Sequence, residues 1–171
     1  MIKLKYLIQG YNFNKILAKI DKEINQEGER AGVIKYNENI HGSYLIDDEG
    51  IVVAINIFSN CVVEKDKTMD NQLKHTTQTL LIIQKTMELL GNIKQEEANN
   101  IMKQLGMFSG KIKEKAVRFL NYVYKIDVAN GLLMFTMLEE AEEKDKAIGS
   151  GTIKNNKKFK SPPSNPVKNL S

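Results

Sequence analysis

Residues 43–58 read SYLIDDEGIVVAINIF, and this stretch predicts the centre of the fold. Two runs, 43–47 and 51–58, are rich in β-branched and other apolar residues, and Asp48-Glu49-Gly50 separates them. Gly50 can take the positive φ that a three-residue hairpin loop requires. Residues 51–55 are almost entirely apolar, which is typical of a strand covered on both faces. The stretch therefore predicts a β-hairpin whose second strand is central in a sheet.

The segment before this hairpin predicts one strand, one helix and a second strand. Residues 2–8 form the possible first strand, and residues 31–36 form a short strand that precedes the hairpin. Between them, residues 12–27 carry apolar side chains at helical spacing, so we expect an amphipathic helix there. The apolar face of that helix comprises Phe13, Ile16, Leu17, Ile20 and Ile24.

The segment after the hairpin predicts mainly helix. We expect a long helix over 70–90, capped by Thr68 or Asp70 and ended by Gly91, and a second helix over 95–105. Two further helices are predicted over 111–126 and 128–146, although apolar residues within 117–123 and 132–138 leave strands as an alternative. The predicted fold class is α+β: a small antiparallel meander of three or four strands packed by helices, with a mainly helical C-terminal half.

Composition places the chain among ordinary globular proteins. Of its 171 residues, 42% are hydrophobic and 27% charged, which suffices for a packed core without metals or disulfides. Cys61 is the single cysteine, so no internal disulfide is possible. Neither a signal-peptide pattern nor an 18-residue apolar run is present, so we expect a cytoplasmic protein that does not enter membranes. No cofactor motif is recognisable.

Charge divides the chain into two parts. Residues 149–171 contain five lysines, all three prolines and no acidic residue, which leaves 20 basic and 21 acidic residues in the rest. Such a stretch buries too little apolar surface to offset its conformational entropy. We therefore expect one domain over 1–148 and a disordered basic tail over 149–171.

The predicted long helix carries an apolar seam at alternating spacings of four and three residues. This heptad pattern is typical of a dimer or partner interface, and equally of a helix packed on its own sheet. Leu81, Ile82 and Leu89 widen the apolar stripe, which favours packing on the sheet. The candidate seam residues are Met69, Leu73, Leu80, Ile83, Met87 and Leu90.

Two basic segments are candidates for nucleic-acid contact. Residues 95–124 weakly resemble a helix-turn-helix, with a basic start to the second predicted helix, although an ordinary helical hairpin remains the alternative. The tail places an aromatic residue among cations, which suits phosphate contact and base stacking, or simply makes a solubilising arm. The candidate contacts are Lys111, Lys113, Lys115, Arg118, Lys154, Lys157, Lys158, Phe159 and Lys160.

Candidates for chemistry are few. Cys61, His41 and His75 are the only soft metal ligands, and none lies within one helical turn of another in the sequence. A Cys–His pair could still meet in space, which keeps an enzyme with an unrecognised site as one alternative. Residues 139–145 hold five acidic side chains, which could dock a basic partner, including the chain's own tail, or form a solvated helix end.

The order of a helix, the strand 43–47, an acidic turn with Gly50, the strand 51–54 and a long helix resembles the first half of Roadblock/LC7 domains. The resemblance implies a small dimeric scaffold that acts with GTPases and motors. Because no motif for chemistry is recognisable and an apolar seam runs over 69–90, our first hypothesis is a non-enzymatic interaction or regulatory protein, scaffold- or adaptor-like and self-associating. The alternatives are a nucleic-acid-associated protein and an enzyme.

Overall fold

The computed structural model describes residues 1–20, 30–60, 68–109, 111 and 115–140. In these residues the structure contains three helices and seven strands. In chain order they are α1 (Leu4–Phe13), β1 (Lys19–Ile20), β2 (Ala31–Lys35), β3 (Ile40–Ile46), β4 (Val52–Asn60), α2 (Met69–Gly91), α3 (Gln95–Leu105), β5 (Ala116–Phe119), β6 (Tyr122–Ala129) and β7 (Leu132–Glu139).

The seven strands form one antiparallel sheet in the order β1-β2-β3-β4-β7-β6-β5. Two meanders, one before α2 and one after α3, meet where β4 pairs with β7. The β3–β4 hairpin lies where the sequence predicts it, and Gly50 has a φ of +75°. The Asp47 carboxylate accepts hydrogen bonds from the backbone N–H of Glu49 and of Ile51, at 2.9 and 2.8 Å. β4 is the fourth of the seven strands in this order and is therefore the central strand.

The prediction of a mainly helical C-terminal half is wrong. Residues 116–139 form β5, β6 and β7 instead of helices, so the sheet has seven strands where three or four were expected. Side chains at every second position of β6, namely Tyr122, Tyr124 and Ile126, are buried against the helices, a period that a helix could not satisfy. The turn between β6 and β7 is the two-residue Asn130-Gly131, with φ of 52° and 76°. Both values are typical of a type I′ hairpin turn.

The prediction for the N-terminal segment is also wrong. Residues 4–8 belong to α1 rather than to a strand. Of the helix predicted over 12–27, residues 12 and 13 form the end of α1, and residues 14–20 are not helical. Asn14 donates a side-chain hydrogen bond to the carbonyl of Gly10 at 2.8 Å. Lys15 has a φ of +60°, a backbone conformation with which a right-handed helix cannot continue. β1 then begins at Lys19, and residues 21–29 lie outside the described residues.

α2 and α3 occupy the positions that the sequence predicts. The Thr68 hydroxyl accepts a hydrogen bond from the backbone N–H of Asn71 and so caps α2. Gly91 does not end α2 by its own conformation, because the left-handed residue is Asn92, with a φ of +50°. A side chain at Gly91 would place its Cβ 3.0 Å from the Tyr124 hydroxyl, so glycine lets α2 pack closely on the sheet without displacing Tyr124.

The core lies between the helices and one face of the sheet. A buried hydroxyl chain crosses it: Tyr36 donates to Tyr11 at 3.2 Å, and Tyr11 is bonded to Thr86 on α2. Thr86 donates its own proton to the carbonyl of Ile82, so the Tyr11 hydroxyl must be the donor to Thr86. Burial raises the pKa of Tyr11 from 10.0 to about 12, because the phenolate would have to form away from water.

Candidate functional site: the open face of the sheet

Successive side chains of a strand point to opposite faces of a sheet, so the register determines which residues lie on the face away from the helices. On β4, Ile55, Ile57 and Ser59 are buried toward the helices, whereas Ala54, Asn56 and Phe58 point to the other side. We call that side the open face.

The pairing register arranges the open face in three rows that cross the sheet from β2 to β6. The apolar row is Ala31, Leu45, Ala54, Leu138 and Val123; the central row is Val33, Ser43, Asn56, Thr136 and Lys125; the charged row is Lys35, His41, Phe58, Met134 and Asp127.

The open face is more apolar than a solvated sheet face normally is. An antiparallel sheet with helices on one side usually places polar residues on the other side. Here Leu45, Leu138 and Met134 are 48, 39 and 37% exposed, and all three lie on the central strands β3 and β7. Leu45 and Leu138 lie on either side of Ala54 in one row of the face, and Met134 lies beside the partly buried Phe58 in another row. Apolar side chains spread over a sheet face in this way are typical of an interaction surface.

Hydrogen bonds join the three central side chains of the central row. Asn56 donates from its amide nitrogen to the Ser43 hydroxyl at 3.1 Å, and Thr136 donates to the Asn56 amide oxygen at 2.7 Å. This ladder fixes the orientation of the Asn56 amide. Because these polar groups already have partners, covering them with another surface incurs a smaller desolvation penalty than covering unpaired groups would.

The edges of the sheet are poorly suited to pairing with another strand. In the part of the chain that the structure describes, β1 has two residues and β5 has four, and short edge strands offer few backbone groups to a neighbouring chain. On β5, Arg118 forms an ion pair with Glu140 at 3.1 Å, and both side chains are exposed. Association through the open face is therefore better supported than lateral extension of the sheet.

A pocket of about 180 Å³ beside α2 is the strongest alternative site, because Ser59 and His75 meet there. His75 Nε2 lies 3.1 Å from the Ser59 hydroxyl but only 2.6 Å from the backbone carbonyl oxygen of Asn60. A carbonyl can only accept, so Nε2 carries a proton and donates it to Asn60. His75 Nε2 therefore cannot remove the proton of Ser59, which a nucleophilic serine would need.

The other protons of this cluster are committed as well. Thr79 donates to the backbone carbonyl of His75 at 3.1 Å, which leaves its oxygen to accept the Ser59 proton at 2.7 Å. Ser59, His75 and Thr79 are all buried. The arrangement anchors α2 to the end of β4 and has the geometry of a structural network.

The structure divides the predicted seam of α2 into two parts. Ile83, Met87 and Leu90 are buried in the core, and Leu80 is partly buried against it. Met69 and Leu73, in the first two turns, are 87 and 65% exposed. The C-terminal part of the seam therefore packs in the core, and its N-terminal part is exposed to solvent.

The predicted nucleic-acid contacts do not come together on a helix. Lys111 and Lys115 are exposed, and Arg118 lies on β5. The second helix that a helix-turn-helix requires is not formed in residues 115–126, since these residues belong to β5 and β6 or adjoin them. Lys113 and the tail residues Lys154, Lys157, Lys158, Phe159 and Lys160 lie outside the described residues.

The candidates for metal or nucleophilic chemistry are also separated. His41 lies on the open face and His75 points to the helix side of the sheet, so the two imidazoles are on opposite faces. Cys61 lies outside the described residues. Within the described ranges no three His, Cys, Asp or Glu side chains are grouped as a metal site would require. Of the acidic run, Glu140 pairs with Arg118, and residues 142–145 are not among those described.

The open face could not be predicted, because two of its five strands, β6 and β7, lie in segments for which helix was the favoured prediction. One signal could have revealed them: Asn130-Gly131 between two apolar runs is a strong hairpin sequence.

No protein-family model matches the chain, and no curated protein or solved structure is detectably similar to it. The resemblance to Roadblock/LC7 domains is therefore supported by no independent match. Among the described residues, no helix has both the length and the apolar character needed to cross a membrane.

Proposed function

We propose that the protein is a non-enzymatic interaction or regulatory protein, of scaffold or adaptor type, that binds a protein partner through the open face. The observation that carries this proposal is the exposure of Leu45, Leu138 and Met134 on β3 and β7, the two strands that flank β4, where a solvated sheet would carry polar residues. The hydrogen-bonded Ser43–Asn56–Thr136 ladder supports it, because the polar centre of the face is already satisfied.

The proton arrangement at Ser59 and His75 supports a non-enzymatic role. The buried Ser59–His75 pair has its imidazole proton bonded to a backbone carbonyl. It therefore offers no general base to the adjacent hydroxyl.

Methionine oxidation provides the test, because the chain has built-in reporters. Met134 lies on the open face, Met69 is 87% exposed at the start of α2, and Met137 is fully buried. We expect Met134 to oxidise more slowly in the extract of the native host than in dilute purified protein. Met69 should oxidise quickly in both, and Met137 slowly in both. Equal rates for Met134 in the two conditions would remove the support for a covered open face.

A substitution pair gives a second measurement. Leu138→Lys places a charge on the open face, and Leu73→Lys places one on the exposed side of α2. Both side chains are exposed, so both variants should keep their fold. Loss of Met134 protection in the first variant alone would locate the binding surface on the open face. Loss in the second alone would move it to α2.

A further inference from the structure

The strand order makes the open face complementary to itself. β4 is the middle of the seven strands, with β3 and β7 on either side and β2 and β6 beyond them. We propose that the occupant of the open face is a second copy of this chain, placed by a two-fold axis that runs along β4. This inference rests on the proposed function, since it names the partner of the same surface.

The axis along β4 brings opposite charges together. It places β2 of one copy over β6 of the other, so Lys35 faces Asp127 of the second copy, and the symmetry repeats the pair. Both side chains are exposed at opposite ends of the charged row. Sheets packed face to face cross at about 30°, and the long lysine side chain can span the resulting offset.

The same axis also matches the other two rows. In the apolar row, Leu45 faces Leu138 of the second copy, again twice. In the central row, Ser43 faces Thr136 of the second copy, and Asn56 faces its own symmetry mate. One facing pair in the central row is less complementary: Val33 faces the aliphatic part of the Lys125 side chain, whose amine extends to the rim of the interface.

The alternative two-fold axis, perpendicular to the strands along the central row, is unfavourable. It sets Lys125 against Lys125 of the second copy, and it places Lys35 over Ala31 and Asp127 over Val123. No opposite charges then meet. The charge pattern therefore distinguishes between the two ways of stacking the sheets.

The area is sufficient for association. With strands about 4.8 Å apart and residues about 3.4 Å apart along a strand, three rows over five strands cover about 500 Å² per copy. The two copies together would bury at most about 1,000 Å², because Ala54 and Val123 are already buried in the single chain, and this is near the lower limit for specific interfaces. We therefore expect a dimer that dissociates on dilution.

Charge reversal tests the geometry. Lys35→Glu and Asp127→Lys each turn both interprotomer pairs into like charges, so each variant alone should dimerise about tenfold more weakly or worse at low salt. When the two variants are mixed, every pair in the mixed dimer joins an acid and a base. The mixture should therefore regain the affinity of the unaltered protein and form mostly heterodimer.

Sedimentation equilibrium measures the affinities, and native mass spectrometry with one isotope-labelled variant counts the heterodimer. Lys103→Glu, the same charge change on the exposed side of α3, is the matched control and should leave dimerisation unchanged. The differences should vanish at about 1 M salt, where charges are screened within a few ångströms. Circular dichroism melting confirms that each variant is folded.

Three results would overturn the second-copy geometry: unchanged dimerisation in both single variants, statistical mixing of the two variants, or a purified protein that stays monomeric. If the purified protein is monomeric while Met134 is protected in host extract, the proposed function stands with another partner. If Met134 is unprotected as well, both proposals fail.

Discussion

The buried hydroxyl chain makes an unusual prediction: a second substitution should restore stability that a first one removes. Tyr36 donates to Tyr11, Tyr11 donates to Thr86, and Thr86 donates to the carbonyl of Ile82. Tyr36 is the first donor in this series of hydrogen bonds. Removing its hydroxyl leaves every other proton bonded, so Tyr36→Phe should lower the free energy of unfolding by only about 0.5–1 kcal/mol.

Tyr11→Phe has a different consequence. It removes the oxygen that accepts the Tyr36 proton, and it leaves the buried Tyr36 hydroxyl its contact with Thr86, which stays bonded to Ile82. A buried donor that loses its acceptor costs up to about 1–3 kcal/mol, so this variant should be less stable than Tyr36→Phe. In the double variant Tyr11→Phe/Tyr36→Phe no hydroxyl is left unpaired. It should therefore be more stable than Tyr11→Phe alone.

Urea denaturation of the unaltered protein and the three variants, followed by circular dichroism, gives the four free energies. Tyr124 is the matched control, because its buried hydroxyl already lacks a hydrogen-bond partner. Tyr124→Phe should be neutral or stabilising by about 1 kcal/mol. A double variant whose destabilisation equals or exceeds the sum of the two single effects would refute the directional chain, because independent or mutually supporting contacts would then explain the data.

Three further results are expected. Stability should fall above about pH 10, because the unfolded Tyr11 loses its proton there whereas the folded one keeps it until about pH 12. This group contributes about 2–3 kcal/mol of that loss, so pH-dependent urea denaturation of Tyr11→Phe should show a shallower decline. Ser59→Ala should cost no more than about 1 kcal/mol, and the unaltered protein should not be labelled at Ser59 by serine-directed fluorophosphonates; labelling at Ser59 would contradict the proton assignment. Gly131→Ala should destabilise by about 1–2 kcal/mol, because at a φ of +76° the added Cβ lies too close to its own backbone. Neighbouring side chains should add nothing, since none of their atoms lies within 4 Å of that Cβ. An unchanged melting temperature would contradict the turn assignment.

The sequence by itself determined the elements whose signals are local. The 43–58 hairpin follows from β-branched runs around Gly50, and α2 and α3 follow from apolar periodicity, with a cap for α2 at Thr68. Each of these features depends on residues within a few positions of one another, so periodicity and turn chemistry suffice to predict them.

Tertiary structure decided that the C-terminal segment forms strands and not helices. Residues 116–139 contain apolar residues at spacings compatible with helix or strand, and the choice depends on the partner that β7 finds in β4, about 80 residues earlier in the chain. Neither segment by itself identifies the strand with which it pairs. The Asn130-Gly131 turn was the single local signal.

The open face shows the same division. The sequence supplies Leu45, Asn56, Thr136 and Leu138, but nothing near any of them indicates that they are neighbours. Only the antiparallel register of β3, β4 and β7 brings them to one surface, and only the position of β4 at the middle of the sheet gives that surface its two-fold complementarity. Local chemistry specified the strands, whereas long-range pairing decided which side chains share a face.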